Sequence, residues 1–450
     1  MRWSLRRPAS RPPRRVLVLG LDGVPYSLLR QLLEAGELPN LAQLCRRGGL
    51  REIDSVAPPV SSVAWASFMT GRNPGGHGIF GFIDRRPNPF QLFLPNAADL
   101  RAETIWERLS RLGRRVLVMN LPSTYPPRPI NGVLISGFEA PDLKKATFPA
   151  ELGAELEADG YRLDVDPRAG RESPDAFLED LEATFDSQSR ALLRLLEQEP
   201  WDLVLAHVMG TDRLHHFLWA QWEARDPRYA PRFLEFYRGV DELVGKLVAR
   251  WPEEAGLMIL SDHGFCGVKR EVYLNSWLER EGYLEFAHRP PQEITDLASG
   301  SRAYSLLPGR VYLNLKGREE KGCVAPGKEF QRLRAELAER LTKLADPETG
   351  EPVLHQVLEG EQIYCGECAA LGPDLVALPR AGYDLKGLSR ASELMAPPQL
   401  AGMHTYGGAF LYLRDEELIP GEASILEAAA TLWALLGLEP PAPDGRSLLA

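Results

Sequence analysis

Val16-Leu-Val-Leu-Gly-Leu-Asp22-Gly23 is an unbroken apolar run closed by Asp-Gly. Such a run reads as a strand buried on both faces that delivers a polar side chain at its carboxyl end. Helical spacing follows at once, from Pro25 to Glu34, and the alternation recurs along the chain. Short apolar strands are expected at Arg115-Val-Leu-Val-Met-Asn120, Val133-Leu-Ile-Ser136, Trp201 to Val208 and Gly256-Leu-Met-Ile-Leu-Ser-Asp262. Amphipathic helices are expected from Ala102 to Leu112, Pro174 to Glu197 and Pro231 to Arg250. Strands alternating with helices imply right-handed crossovers and an α/β class, here a three-layer α/β/α sandwich around a mostly parallel central sheet. Sites in such sheets form beyond the carboxyl ends of the strands. Asp22 and Asp262 both sit there.

From about Trp277 to Gly382 the texture changes, with Pro290-Pro291, the strand-like Arg310-Val-Tyr-Leu-Asn314 and a charged helix from Glu329 to Ala345. This stretch, residues 277–382, reads as an inserted cap subdomain, with the catalytic core formed by 16–276 and 383–450. Core character returns near Gly402, and a last helix is expected from Ala423 to Leu436. The first fifteen residues are Arg-rich and lack the apolar region of a leader, so they read as a basic flexible arm. No apolar stretch approaches a membrane span.

With 44% hydrophobic and 25% charged residues, the 450-residue chain can bury a sizeable core. A net charge of -10 spread along the chain offers no basic footprint for nucleic acid. A small phosphorylated ligand stays compatible, because local metal charge can dominate a site. The five scattered cysteines argue against a disulfide framework and fit a cytoplasmic setting. Cys365-Gly-Glu-Cys368 alone has the C-x-x-C spacing, and without a second pair it reads as ordinary cysteines near a loop.

Asp262-His263-Gly264 closes a buried strand, where a carboxylate beside an imidazole is costly without a partner such as a divalent metal. A helix-capping Asp with a chance His is the bland alternative. Asp212 and His216 stand four apart in a helical segment from Thr211 to Arg225 and share one face. His215 is turned about 100° away and is the poorer candidate. Asp212 as a cap and His216 as a core residue is the competing reading. Asp22, and His404 in Gly402-Met-His404, complete three aspartates and three histidines. Together these offer three protein ligands to each of two zinc-like ions, with open positions left for chemistry. In Pro58-Pro-Val-Ser-Ser62, small hydroxyl residues fall in a loop before a helix, where a serine can be activated by a metal and a helix N-terminus can hold phosphate. A Ser-rich N-cap has the same appearance.

These segments resemble the alkaline phosphatase superfamily, in particular its type I phosphodiesterase and nucleotide pyrophosphatase branch, and most closely a bacterial group of predicted phosphohydrolases or phosphomutases. The resemblance rests on Leu21-Asp-Gly23, the segment from Ser61 to Gly78 ending Thr-Gly-Arg-Asn-Pro-Gly-Gly-His-Gly, and Gly210-Thr-Asp-Arg-Leu-His-His216. It continues through Ser261-Asp-His-Gly-Phe265, Arg310 to Arg318, Gly402-Met-His404 and Asp444-Gly-Arg446, nearly the whole chain.

The resemblance implies an alkaline phosphatase-like core and two divalent ions, zinc or else manganese. Asp212, His216 and His404 would hold one, and Asp22, Asp262 and His263 the other, with Ser61 sharing the latter as nucleophile and Ser62 the fallback. Phosphate would pass through Ser61 and then to water. The pyrophosphatase branch carries an Asn three residues after the nucleophile, whereas this chain has Ala64 followed by Trp65. The missing phosphoryl contact could come from Asn120, Lys269 or Arg270, each of which also reads as a surface or structural residue. Hydrolysis of a phosphomonoester or phosphodiester is the expected activity. A phosphomutase using the same site and a metal-stabilised binding protein without turnover are the alternatives. The C/S-x-P-x-R motif of the sulfatase branch is absent from the Ser61 segment.

Overall fold

The computed structural model describes residues 14–166, 168, 173–387, 389, 393–439 and 444–449. The expected basic arm therefore lies outside the described residues except for Arg14 and Arg15. These two fasten the chain to the core through Glu416 (2.5 Å) and the Trp201 carbonyl (2.6 Å).

Parallel strands form the centre of an eight-stranded sheet, in the order Gly256–Leu260, Val16–Leu21, Leu203–Val208, Val116–Met119 and Gly132–Ile135. Antiparallel strands close its edges, Ala409–Arg414 and then Gly48–Ile53 on one side and Thr147–Phe148 on the other. The alternation of side chains along Val16–Leu21 divides the core in two. Leu17, Leu19 and Leu21 pack with the helices Tyr26–Glu34, Pro174–Gln198, Gly210–Glu223 and Tyr229–Val248. Val16 and Val18 pack on the other face with Ser61–Thr70, Ile105–Arg111 and Ile425–Leu435. This is the three-layer α/β/α arrangement, and it explains why the strand carries no polar residue before its end. Fully burying each such Leu or Val contributes about 1.5–3 kcal/mol, so a polar residue there would be costly on either face.

Gly20 is the exception in that strand, for a steric reason. A Cβ on it would lie 2.4 Å from the ring of Trp65, which crosses the strand there. In the parallel register Leu21 pairs with Val208 and Gly20 with Leu260, so the residues that follow all three strands emerge at one level. Asp22, the Gly210–Glu223 helix and Ser261-Asp262-His263 thus leave the sheet side by side.

A separate core built on the antiparallel strands Ala303–Leu306, Arg310–Leu313, Leu375–Pro379 and Leu354–Glu359, with the helix Lys328–Thr342, lies within the later part of the chain. Several contacts join it to the segments around the site, two of them at buried groups. The Tyr364 hydroxyl donates to the carbonyl of Ala57 (2.8 Å). Arg310, fully buried, forms an ion pair with Asp84 and donates to the carbonyl of Ile83. Among the described residues no helix is long and apolar enough to cross a membrane.

Candidate active site

His404 joins the strand ends by a route of its own. It lies on Gly402–Thr405, which pairs antiparallel with Gly264–Gly267 so that His404 stands opposite Phe265. Its ring therefore stacks on that of His263, with centroids 3.8 Å apart. One turn along its helix from Asp212, His216 reaches the same place. All six side chains singled out as ligands are thus brought together, in two adjoining groups.

In the first group, His216 Nδ1 lies 2.9 Å from the carbonyl of Gly402, and His404 Nδ1 lies 2.9 Å from that of Pro59. A carbonyl only accepts, so each Nδ1 carries a hydrogen, and each Nε2 is left to face a cation or to share a proton with a carboxylate. The two Nε2 atoms nevertheless face each other at 3.0 Å, with Asp212 Oδ1 at 3.3 and 3.1 Å from them. Atoms this close repel one another unless a proton or a metal ion lies among them, and although burial lowers the His404 pKa, Asp212 raises it overall. Burial alone would raise the Asp212 pKa, but His216 and His404 hold it well below the usual carboxylate range. Two imidazoles and a carboxylate suit a divalent ion such as zinc.

The second group contains Asp22, Asp262, His263 and Ser61. His263 Nδ1 donates to the carbonyl of Gly264 (3.0 Å), so its Nε2 is bare, and that atom lies 3.3 Å from Asp262 Oδ2 and 3.5 Å from Asp22 Oδ1. Asp262 Oδ1 accepts from the Gly23 amide (3.0 Å), whereas its buried Oδ2 has no hydrogen-bond partner. Burial, reinforced by Asp22, pushes the Asp262 pKa well above the carboxylate range. An orphaned carboxylate oxygen beside a bare imidazole nitrogen is again a fit for a cation. Asp212 belongs to both groups, since it also offers an oxygen within 4.8 Å of ligand atoms of Asp22 and His263.

Ser61 Oγ donates to Asp22 Oδ1 at 3.0 Å and lies 3.3 Å from His263 Nε2. The hydroxyls are not in a loop before the helix, as expected from sequence, but in its first turn. Pro58-Pro59 and the extended Val60 bar earlier helix, so Ser61 is the first helical residue. No side chain caps this helix, so the Ser-rich N-cap is not formed; the Val63 amide bonds the Val60 carbonyl, and those of Ser61 and Ser62 stay free for an anion. Ser62 Oγ is buried without a partner. Asp212 is not a cap either, because it lies inside the first turn after Met209.

The other Asp22 oxygen, Oδ2, is taken up by two residues that sequence reasoning missed. Trp65 Nε1 donates to it at 2.9 Å and His207 Nε2 meets it at 2.7 Å. His207 Nδ1 lies 2.9 Å from the carbonyl of Asn120. His207 thus bridges the Asn120 carbonyl and Asp22 Oδ2. Burial alone would raise the Asp22 pKa, yet His207 holds it down. A signal existed, because His207 is the polar residue of the fully buried strand Leu203–Val208. Trp65 had one in Gly20, whose missing Cβ makes room for the ring.

Asn120 stands behind His207, with its side-chain oxygen accepting from Tyr161. Lys269 packs its aliphatic stem on Gly382, and Arg270 pairs with Asp346 (3.2 Å) and Glu348. Both side chains thus engage the later part of the chain and not the ligand groups. His77 of the Gly-rich segment is fixed in the core, where its Nδ1 accepts from the Ile79 amide (3.1 Å) and its Nε2 meets Ser67 Oγ (2.9 Å). Cys365 is exposed, Cys368 is buried and neither is in a disulfide.

His215 is turned away from the ligand groups, with Nδ1 3.1 Å from the carbonyl of Gly23 and Nε2 2.7 Å from the Tyr237 hydroxyl. Burial drives its pKa down to about 3. His216→Ala is therefore expected to remove about one metal ion per chain while the fold persists. His215→Ala should keep its metal and instead lose about 2–4 kcal/mol of stability, because it empties a packed site and orphans two buried groups. Metal analysis and urea unfolding of both variants check this, and equal metal loss in the two would mean that the helix presents the other face.

Solved structures share this fold at low sequence identity. Phosphonoacetate hydrolase from Sinorhizobium meliloti 1021 superposes with a TM-score of 0.63 at 19% identity, over 95% of this chain and 96% of its own. Murine ectonucleotide pyrophosphatase / phosphodiesterase 5 gives 0.59 at 15% identity, over 97% of this chain and 100% of its own. The human protein of the same name gives 0.57 at 16%, over 96% and 97%. The sequence profile of type I phosphodiesterase / nucleotide pyrophosphatase matches residues 16–406. That span runs from the strand before Asp22 to just beyond His404, and the chain belongs to this family of phosphoric ester hydrolases within the alkaline phosphatase superfamily.

Proposed function

We propose that the protein hydrolyses a small phosphomonoester or phosphodiester by way of a phosphoserine on Ser61. The observation that carries this is the position of Ser61 Oγ, 3.0 Å from Asp22 Oδ1 and 3.3 Å from His263 Nε2 at an uncapped helix N-terminus. Asp212, His216 and His404 hold one divalent ion and Asp22, Asp262 and His263 a second, zinc being favoured by the His and Asp donors and manganese the alternative. Bound there, the ions supply positive charge that acidifies a hydroxyl and offsets the charge of phosphoryl oxygens. Asp22 Oδ1 aligns the Ser61 hydroxyl, and the free amides of the first helical turn receive a phosphoryl oxygen. Attack by Oγ on phosphorus forms the Ser61 ester and expels the alcohol, and water then cleaves that ester and returns the hydroxyl. The subdomain of residues 277–382 serves as a cap on the core of 16–276 and 383–450. A cytoplasmic setting fits the five free cysteines.

The test is a panel of phosphomonoesters, phosphodiesters and sugar phosphates offered to zinc- or manganese-loaded protein. Chelator-sensitive release of an alcohol with phosphate or a monoester is the expected result. An isomerised substrate with no phosphate released would identify a mutase. Full activity in excess chelator after dialysis would overturn the two-ion reading.

A further inference from the structure

We infer that Trp65 and His207 are positioning residues for the second metal group, which hold Asp22 as a ligand through Oδ1 alone. The inference rests on the two-ion reading above but concerns residues outside both ligand sets.

A carboxylate at a strand end can offer a cation either one oxygen or both. Here Oδ2 is occupied from two directions, by Trp65 Nε1 at 2.9 Å and His207 Nε2 at 2.7 Å. The oxygen left over, Oδ1, is the one that Ser61 Oγ meets at 3.0 Å and that lies 3.5 Å from His263 Nε2. The two donors are themselves rigid. His207 sits in the sheet strand next to that of Asp22, with Gly20 opposite it in the register, and is tied by Nδ1 to the carbonyl of Asn120. Trp65 is fully buried, its ring in edge contact with His207 at 4.9 Å between centroids. It reaches Asp22 by crossing Gly20, where any side chain would strike the ring.

Trp65 also belongs to the helix whose first residue is Ser61. The same indole therefore fixes the nucleophile's helix relative to the carboxylate its hydroxyl must face. Outer groups that orient metal-binding carboxylates in this way are commonly worth 10–100-fold in metal affinity.

The test is metal affinity, measured by titrating zinc into metal-free full-length protein against a chromophoric chelator. Trp65→Phe keeps the ring and deletes only the N–H, His207→Gln shortens the reach to Oδ2, and Gly20→Ala pushes the ring without removing any polar group. Each variant is expected to weaken one of the two ions by about 10–100-fold while the other stays within a few-fold of wild type. A merely structural role would move both ions together. Trp65→Phe should lower kcat more than it changes KM, since the loss is alignment and not substrate contact.

Wild-type affinity at both sites in Trp65→Phe and His207→Gln overturns the inference, as does equal weakening of both ions. A wild-type protein that binds no ion overturns the two-ion reading and this inference with it. Two ions bound alike in every variant sinks the inference alone. If His207→Gln fails to fold, Trp65→Phe and Gly20→Ala decide the matter, because neither leaves a buried group of its own unpaired.

Discussion

Ser61→Ala should lower turnover by on the order of 10⁴- to 10⁶-fold, the scale on which loss of an activated nucleophile is felt. The change is well placed for a clean reading. Ser61 is the first residue of a helix in which Ala is at least as favourable, and its backbone amide stays in place for the phosphoryl oxygen. The bonds lost are those of Oγ to Asp22 Oδ1 and toward His263 Nε2, and neither acceptor depends on them, since both face the proposed cation. Both ions and the fold should therefore survive, which metal analysis and circular dichroism would check. Ser62→Ala should be mild, because its Oγ has no partner to lose. Labelled substrate quenched in acid, followed by peptide mapping, should place phosphate on Ser61. Label on Ser62 would transfer the role by one residue. Fast turnover without label would mean direct attack by water, leaving the fold and the ligand groups as described.

Much of the architecture was legible because one physical rule was at work in many places. A strand buried on both faces must be apolar until it ends, so Asp22 and Asp262 stand out at the ends of Val16–Leu21 and Gly256–Leu260. The four-residue spacing of Asp212 and His216 transfers directly to one helix face, and the structure keeps His215 off that face. Less legible were contacts set by tertiary packing. Arg270 has the charge to hold a phosphoryl group, but Asp346 and Glu348, far along the chain, claim it. Ala64 read as the departure from the family's pattern, whereas the role of the next residue, Trp65, whose indole N–H is spent on Asp22, left no mark in the local sequence. Two antiparallel strands escaped, Ala409–Arg414, which is buried throughout between Gly256–Leu260 and Gly48–Ile53, and Gly48–Ile53 itself at the sheet edge. Gly48–Ile53 has hardly any of the buried periodicity that marks a strand, and only its pairing with Ala409–Arg414 defines it.

Asp212→Ala should have an effect as large as the loss of Ser61, for a different reason. Its Oδ1 lies 3.1 and 3.3 Å from His404 and His216 Nε2, and it also offers an oxygen to the group of Asp22 and His263. One carboxylate thus serves both proposed ions, so its removal should take the first ion away and weaken the second by tenfold or more. His216→Ala should cost only the first. Turnover should fall by several orders of magnitude, because the charge offered to the nucleophile and to the leaving oxygen is diminished together. Misfolding is separated from metal loss by unfolding each protein with and without zinc. An ion at a hundredfold excess over its Kd adds about 2.7 kcal/mol to the folded state. Wild type should gain that amount about twice over and His216→Ala about once. Asp212→Ala should gain less than His216→Ala at the same zinc concentration. If instead it gains as much as His216→Ala and retains one ion at wild-type affinity, Asp212 serves the first group alone. The second ion would then depend on Asp22, Asp262 and His263 without it.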